Sequence, residues 1–224
     1  MSDDVCPHGR CDGSGFVIDE ATNTARACSC RPIRISRAKA RKLEARLPQR
    51  FRDVAFDRYP VNEMPDPVVT AIRRYTRDIN AQIDEGKGVW LFGDVGTGKT
   101  TLAMLVSKAA LNAGRSVAIY SMPRLLAVLR DQIDEDGTRD YLDRLATVDL
   151  LHIDDLGAEY RTDWAIEQLY SIINTRYEEQ RALVVTSNLG PEELPEQLGE
   201  RIVSRLNEMC EWVALYGADR RGVL

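Results

Sequence analysis

The chain has 224 residues, 44% hydrophobic and 29% charged, with a formal net charge of −5. That length can bury the core of one compact domain plus an appendage. No apolar run approaches the roughly 20 residues of a membrane span, and Met1-Ser2-Asp3-Asp4 lacks the basic and apolar blocks of a secretory leader, so a cytoplasmic location without disulfides is expected.

Charge is unevenly spread. Residues 31–52 carry Arg31, Arg34, Arg37, Lys39, Arg41, Lys42, Arg46, Arg50 and Arg52 against Glu44 alone, a net of +8, which leaves −13 for the remainder of a −5 chain. An acidic body with one basic strap excludes a protein that coats duplex DNA, and it leaves room for a local contact with nucleic acid or an acidic partner.

Residues 1–32 read as a small module rich in Gly, Asp, Thr and Cys. Cys6, Cys11, Cys28 and Cys30 lie within 25 residues, and four clustered thiols in a reducing compartment suit tetrahedral Zn²⁺. Gly13 and Gly15 allow the tight backbone of a metal knuckle. Four residues separate Cys6 from Cys11, and His8-x-x-Cys11 is the tighter pair, so His8 stands as an alternate zinc ligand to Cys6. An iron–sulfur cluster is the other occupant weighed. With so few apolar residues the module should fold only with its metal. Cys210, alone in a helical stretch, is expected in the core.

Residues 33–53 read as a basic helix and linker, the helix spanning 33–47 with a thin apolar stripe at Ala40, Leu43 and Leu47 before Pro48 ends it. From residue 54 to 224 a single α/β domain is expected. Residues 49–64 look irregular, with Phe51, Phe56 and Tyr59 as anchors. An amphipathic helix follows over 66–85, closed by Gly86 and Gly88. Strands at 88–93, 117–121, 148–154, 182–187 and 211–216 then alternate with helices at 98–113, 122–135, 138–146, 163–180 and 192–209. Such alternation predicts a five-stranded parallel sheet flanked by helices, with ligands gathered at the carboxyl ends of the strands.

The first strand runs into Gly93-Asp94-Val95-Gly96-Thr97-Gly98-Lys99-Thr100-Thr101. This is a P-loop in its strand–loop–helix setting, where glycines let backbone N–H groups curl around phosphates. ATP is the expected ligand, with Lys99 reaching the β- and γ-phosphates and Thr100 holding Mg²⁺. Leu150-Leu151-His152-Ile153-Asp154-Asp155 is an apolar strand ending in acids, a Walker B pattern. Asp154 is assigned to Mg²⁺, and Asp155 to orienting or deprotonating the attacking water. Asp is one methylene shorter than the Glu common at that place, which predicts slow hydrolysis suited to a switch.

Val184-Val185-Thr186-Ser187-Asn188 ends a strand in polar groups. Asn188 is assigned to sense the γ-phosphate or its water, with Thr186 the lesser candidate. In Glu200-Arg201-Ile202-Val203-Ser204-Arg205 two arginines share one helix face. Arg205, supported by Arg201, is assigned as a finger offered to a neighbouring subunit's ATP, which implies a homo-oligomer when ATP is bound. Arg221, past the last strand, is a candidate phosphate contact in its own subunit.

In this order the P-loop, Asp154-Asp155, Ser187-Asn188, Ser204-Arg205-Leu206 and Gly217-x-Asp219-x-Arg221 resemble the AAA+ ATPases of the DnaC/DnaI helicase-loader and IstB-like family. Leu47-Pro48-Gln49-Arg50-Phe51 and Ile153-Asp154-Asp155-Leu156-Gly157 add to the likeness, which covers roughly residues 47–224. The resemblance implies a P-loop AAA+ core with little or no C-terminal lid. It also implies ATP-driven assembly, contact with single-stranded DNA and a replicative helicase as partner. It further implies that the helix from Met122, with Arg124 and Arg130, faces DNA; its residues alone say only that Leu125, Leu126 and Leu129 point inward. Alternatives are an IstB-like transposition helper and a non-hydrolysing nucleotide switch. A small-molecule kinase would need an acceptor site and a closing lid that the sequence does not display.

Overall fold

A computed structural model describes residues 6, 8–19, 22–31, 34, 47–131, 135–157 and 162–220. The basic helix expected over 33–47 and Arg221 lie outside the described residues, apart from Arg34 and Leu47.

Near the N-terminus, strands β1 (Phe16–Asp19) and β2 (Thr24–Ala27) form an antiparallel hairpin that pairs Phe16 with Ala27 and Asp19 with Thr24. The larger body is a five-stranded parallel sheet of β3 (Gly88–Gly93), β4 (Val117–Ser121), β5 (Leu150–Leu156), β6 (Ala182–Ser187) and β7 (Cys210–Leu215), ordered β4-β5-β6-β3-β7. Strands β3 and β6 lie inside the sheet and every residue of both is buried, as expected of parallel strands covered on both faces.

Side chains alternate between two apolar layers. On one face Val89, Leu91, Leu150, Ala182 and Val184 pack under α1 (Asp66–Arg77), α2 (Ile79–Asp84) and α3 (Lys99–Asn112). Leu47, Phe51, Val54 and Phe56 join the edge of this layer, so the aromatic anchors expected at 51 and 56 do fasten the irregular segment to the body. On the other face Trp90, Phe92, Leu151, Ile153, Leu183 and Val185 pack under α4 (Met122–Asp131), α5 (Glu135–Thr147), α6 (Asp163–Glu178), α7 (Leu194–Leu198) and α8 (Glu200–Met209). Leu125, Leu126 and Leu129 of α4 are buried there, as their spacing predicts.

Three sequence expectations change. The helix over 66–85 divides at Asp78, whose backbone (φ −100°, ψ 23°) leaves the helical region. The helix over 192–209 divides at Gly199, where φ is +86° and ψ is 150°. The strand expected at 148–154 instead runs from Leu150 to Leu156, because Asp149 is diverted. Its Oδ2 accepts from the backbone N–H and hydroxyl of Ser116 at 2.9 and 2.7 Å.

Arg176 of α6 is fully buried. Its guanidinium donates to the carbonyls of Leu145 (2.7 Å), Val148 (2.9 Å), Asp149 (3.2 Å) and Ala182 (2.5 Å). These acceptors include the last carbonyls of α5, where the helix dipole favours a cation. Burial, joined by the charge of Arg181, pushes its pKa down to about 9, against the opposing pull of Asp149. The group therefore stays protonated at neutral pH and ties α5, α6, β5 and β6 together. Arg176→Met would leave these carbonyls without their donor, at about 1–3 kcal/mol for each group left unpaired. The expected loss is at least about 3 kcal/mol in urea unfolding.

Candidate functional site

Pairing across the sheet sets the strand ends side by side. Phe92 of β3 pairs with Ser187 of β6, Gly93 with Leu215 of β7, and Leu156 of β5 with Ser187. The loops after β3, β5, β6 and β7 therefore open at one edge.

The loop 94–98 carries β3 into α3. Gly98 caps α3 with φ +103°, and a Cβ there would meet Met64 Cε at 2.1 Å. Gly96 has φ +80°, and a Cβ would meet the Asp219 carboxylate at 2.0 Å. The positive φ at these two positions is what calls for glycine, since the Met64 and Asp219 side-chain tips could move aside. Lys99, in the first turn of α3, is buried and donates to the carbonyls of Gly93 (2.8 Å) and Asp94 (2.6 Å). Its ammonium thus rests on the loop that phosphates would line.

Thr100 Oγ1 donates to Asp154 Oδ1 at 2.9 Å, across the 54 residues between α3 and β5. Thr186 Oγ1 donates to the same oxygen at 2.7 Å and accepts the Asp155 N–H at 2.8 Å. Between Ile153 and Leu156 the β5 register shifts, and Asp155 sits at φ +64°. A bulge of this kind re-aims side chains at a strand end. Here it separates the two acids, with Asp154 toward Thr100 and Asp155 toward Asn188, whose Nδ2 donates to Asp155 Oδ1 at 3.3 Å. Burial is the largest single influence on the Asp154 carboxyl and works to raise its pKa. The nearby His152 ring, together with the Thr186 and Thr100 hydroxyls, outweighs it and holds the group below the usual carboxylate range. An ionised carboxylate beside a threonine hydroxyl is a fit donor pair for Mg²⁺.

Thr186, the lesser sensor candidate from sequence, is the hinge between both acids, while Asn188 touches Asp155 alone. In the segment after β7 the sequence singled out Arg221, but not the backbone hydrogen bonds that tie the segment to the P-loop. Gly217 N–H donates to Asp94 Oδ2 at 2.9 Å, Arg220 N–H to Gly96 O at 3.0 Å, and Tyr59 Oη to Arg220 O at 2.6 Å. The chain leading to Arg221 is therefore bonded to the P-loop, although Arg221 itself is outside the described residues.

Arg205 stands elsewhere, on α8. Its guanidinium lies 5.0 Å from the Tyr170 ring centroid and 5.5 Å from that of Tyr177, and it donates to Tyr170 Oη (3.2 Å) and Arg201 O (3.1 Å). The rings hold it half-buried on the α6–α8 face, and Arg201 is exposed. Arg130 of α4 stacks 5.0 Å from the Trp164 ring centroid.

In the N-terminal module the sulfurs of Cys6, Cys11, Cys28 and Cys30 all lie within 4.8 Å of one another. Cys6 Sγ is 3.8 Å from Cys28 Sγ, and Cys11 Sγ is 3.6 Å from Cys30 Sγ. Zinc–sulfur bonds of about 2.3 Å in a tetrahedron require sulfur separations of about 3.8 Å, and disulfides would need about 2.05 Å. The cluster fits a Cys₄ zinc ion. Cys6 lies within the cluster, and His8 is exposed and lies outside it. Burial and the neighbouring thiols push Cys30 up to about 12. Cys6 goes down to about 6, as N–H groups of Arg10, His8 and Cys11 outweigh a larger opposing effect of burial. A dication would let all four ionise together.

Among known proteins, a family model described as "IstB-like ATP binding protein" matches residues 45–221. The chain belongs to that family. It is 27% identical over 176 residues to the replicative helicase loader DnaI of Bacillus subtilis (strain 168), covering 71% of this chain and 56% of that one. It is 28% identical over 156 residues to the replicative helicase loader DnaC of Escherichia coli (strain K12), covering 68% and 62%. The chain thus spans less than two thirds of either relative. A crystal structure of the DnaC helicase loader superposes with a TM-score of 0.68 at 28% identity, covering 75% of this chain and 99% of that chain. The core is accordingly a DnaC-like AAA+ fold, as the motif order implied.

Freshly purified protein is expected to carry about one zinc per chain by elemental analysis. Cys28→Ser should abolish this and expose the N-terminal hairpin to protease while the α/β core keeps its melting transition. Wild-type protein with a zinc ratio near zero would contradict the assignment.

Proposed function

We propose that this member of the IstB-like ATP-binding family is a Mg²⁺-dependent ATPase that works as an assembly switch, loading a replicative helicase onto single-stranded DNA. The observation that carries the ATPase half is Thr100 and Thr186 converging on Asp154 beside a P-loop. The likeness to DnaI and DnaC supports the loader half.

In this reading Lys99 exchanges the carbonyls of Gly93 and Asp94 for phosphate oxygens, a substitution that keeps its buried ammonium paired throughout. Thr100 and Asp154 hold Mg²⁺, which would neutralise phosphate charge. Asp155 accepts the proton of the attacking water, with Asn188 fixing its carboxylate. Arg205 is supplied to the ATP of an adjoining copy, so turnover rises on assembly. The Tyr170 and Tyr177 rings pre-orient it at the α6–α8 face. The Cys₄ module, holding Zn²⁺, and the basic segment after it form the arm toward helicase or DNA, and the exposed side of α4 with Arg124 and Arg130 offers a second contact to DNA. A second reading, a transposition helper whose partner is a transposase, is favoured by the family model itself.

Mass photometry with the replicative helicase from the same source, with and without ATP and single-stranded DNA, tests the partner. A defined, nucleotide-sensitive complex is expected, and its absence in every condition would shift the partner to a transposase. For the chemistry, basal turnover should stay below about 10 per second, near the median for enzymes. Asp155→Asn should lower it by about 100-fold or more, and Lys99→Ala should remove ATP binding. Arg205→Ala should leave ATP affinity unchanged and abolish only the rise in turnover with protein concentration.

A further inference from the structure

His152 stands in the middle of β5 with no solvent exposure, on the face that packs against α3. Its neighbours in that layer, Leu150, Val184, Val89 and Leu91, are hydrocarbon. Its Nδ1 lies 2.9 Å from the hydroxyl oxygen of Ser107, which is equally buried on α3. Its Nε2 has no hydrogen-bond partner among the described residues, and it lies 3.9 Å from Asp154 Oδ1. A buried polar nitrogen left unpaired costs about 1–3 kcal/mol, so an apolar side chain would fill this space more cheaply. The reason for a histidine has to lie in what Nε2 faces.

Ser107 and Nδ1 share one hydrogen bond whose direction follows the tautomer of the ring. A neutral imidazole carries one donor and one acceptor. In the tautomer where the Ser107 hydroxyl donates to Nδ1, the ring proton sits on Nε2, the nitrogen that faces Asp154. That carboxylate oxygen already receives Thr100 from the P-loop side and Thr186 from β6. His152 Nε2 stands behind them at 3.9 Å, beyond hydrogen-bond distance but close enough for its N–H dipole to act on the carboxylate. Partners behind a metal-holding carboxylate fix its orientation and typically change metal affinity by 10–100-fold.

We propose that His152, with its ring set by Ser107, is a positioning residue for Asp154 and thereby sets the affinity of the site for Mg²⁺. The inference rests on the reading of Thr100 and Asp154 as the Mg²⁺ pair. It differs from that reading in assigning part of the site's cation affinity to a side chain two residues away that touches neither ATP nor metal.

The test is Mg²⁺ titration of fluorescent ATP binding to the full chain, beginning in EDTA. His152→Leu is expected to raise the half-saturating Mg²⁺ concentration about 10-fold while leaving ATP affinity in EDTA unchanged. His152→Gln returns an N–H donor and should recover part of the loss. Ser107→Ala frees the ring and should shift the titration in the same direction by less. A folded His152→Leu protein with wild-type Mg²⁺ dependence, or one that loses ATP affinity equally with and without Mg²⁺, would overturn the proposal. Should His152→Leu fail to fold, wild-type Mg²⁺ dependence in Ser107→Ala would overturn it instead. A wild-type chain whose ATP binding ignores Mg²⁺ would overturn the cation reading itself, and this inference with it.

Discussion

The lateral hydrogen bonding of the parallel sheet is the constraint on which the rest of this molecule depends. Gly93, Leu156, Ser187 and Leu215 are far apart in sequence, and each ends a strand at the same edge because β5, β6, β3 and β7 pair in parallel. A shift of one residue in any pairing would turn an alternating strand inside out. It would move the apolar residues that alternate between the two layers to the wrong face. The two cores therefore hold the site, since Trp90 and Phe92 on one side and Val89 and Leu91 on the other admit one register only.

On that frame polar groups do the local aiming. Thr186 is the clearest case: one hydroxyl donates to Asp154 and accepts from the Asp155 backbone, so a single side chain of β6 sets both acids of β5. The left-handed backbone at Asp155 is an uncommon conformation for a residue with a Cβ. It is tolerated because both its N–H and its carboxylate are met, by Thr186 and Asn188. Beyond the site, Arg176 serves the same end on a larger scale by collecting carbonyls from the end of α5 through to β6.

The N-terminal module follows a different logic. Its hairpin exposes Val17 and Ile18, so its order comes from a cluster of sulfurs rather than from an apolar layer. The spacing of the four cysteines made a metal legible, but it left Cys6 and His8 as rivals. Tertiary structure separates their places, with Cys6 buried among the other sulfurs and His8 exposed.

By itself the sequence determined the α/β alternation, the P-loop, the paired acids and the four-thiol module, because each is a local pattern whose chemistry depends on neighbours a few residues apart. Apolar periodicity carried the strands and helices to within a few residues, and it failed where a polar group intervened. Asp149 turned to Ser116 rather than opening β5, and Gly199 and Asp78 each divided a helix that apolar spacing alone would continue. The tertiary structure alone decided the contacts between distant segments. These are Thr186 against two acids, Ser107 against His152, Tyr170 and Tyr177 around Arg205, and the segment after β7 against the P-loop. The physical reason is common to all of them: a hydrogen bond or ring contact needs placement within about an ångström, and for residues 30 to 160 positions apart only the packed sheet supplies it.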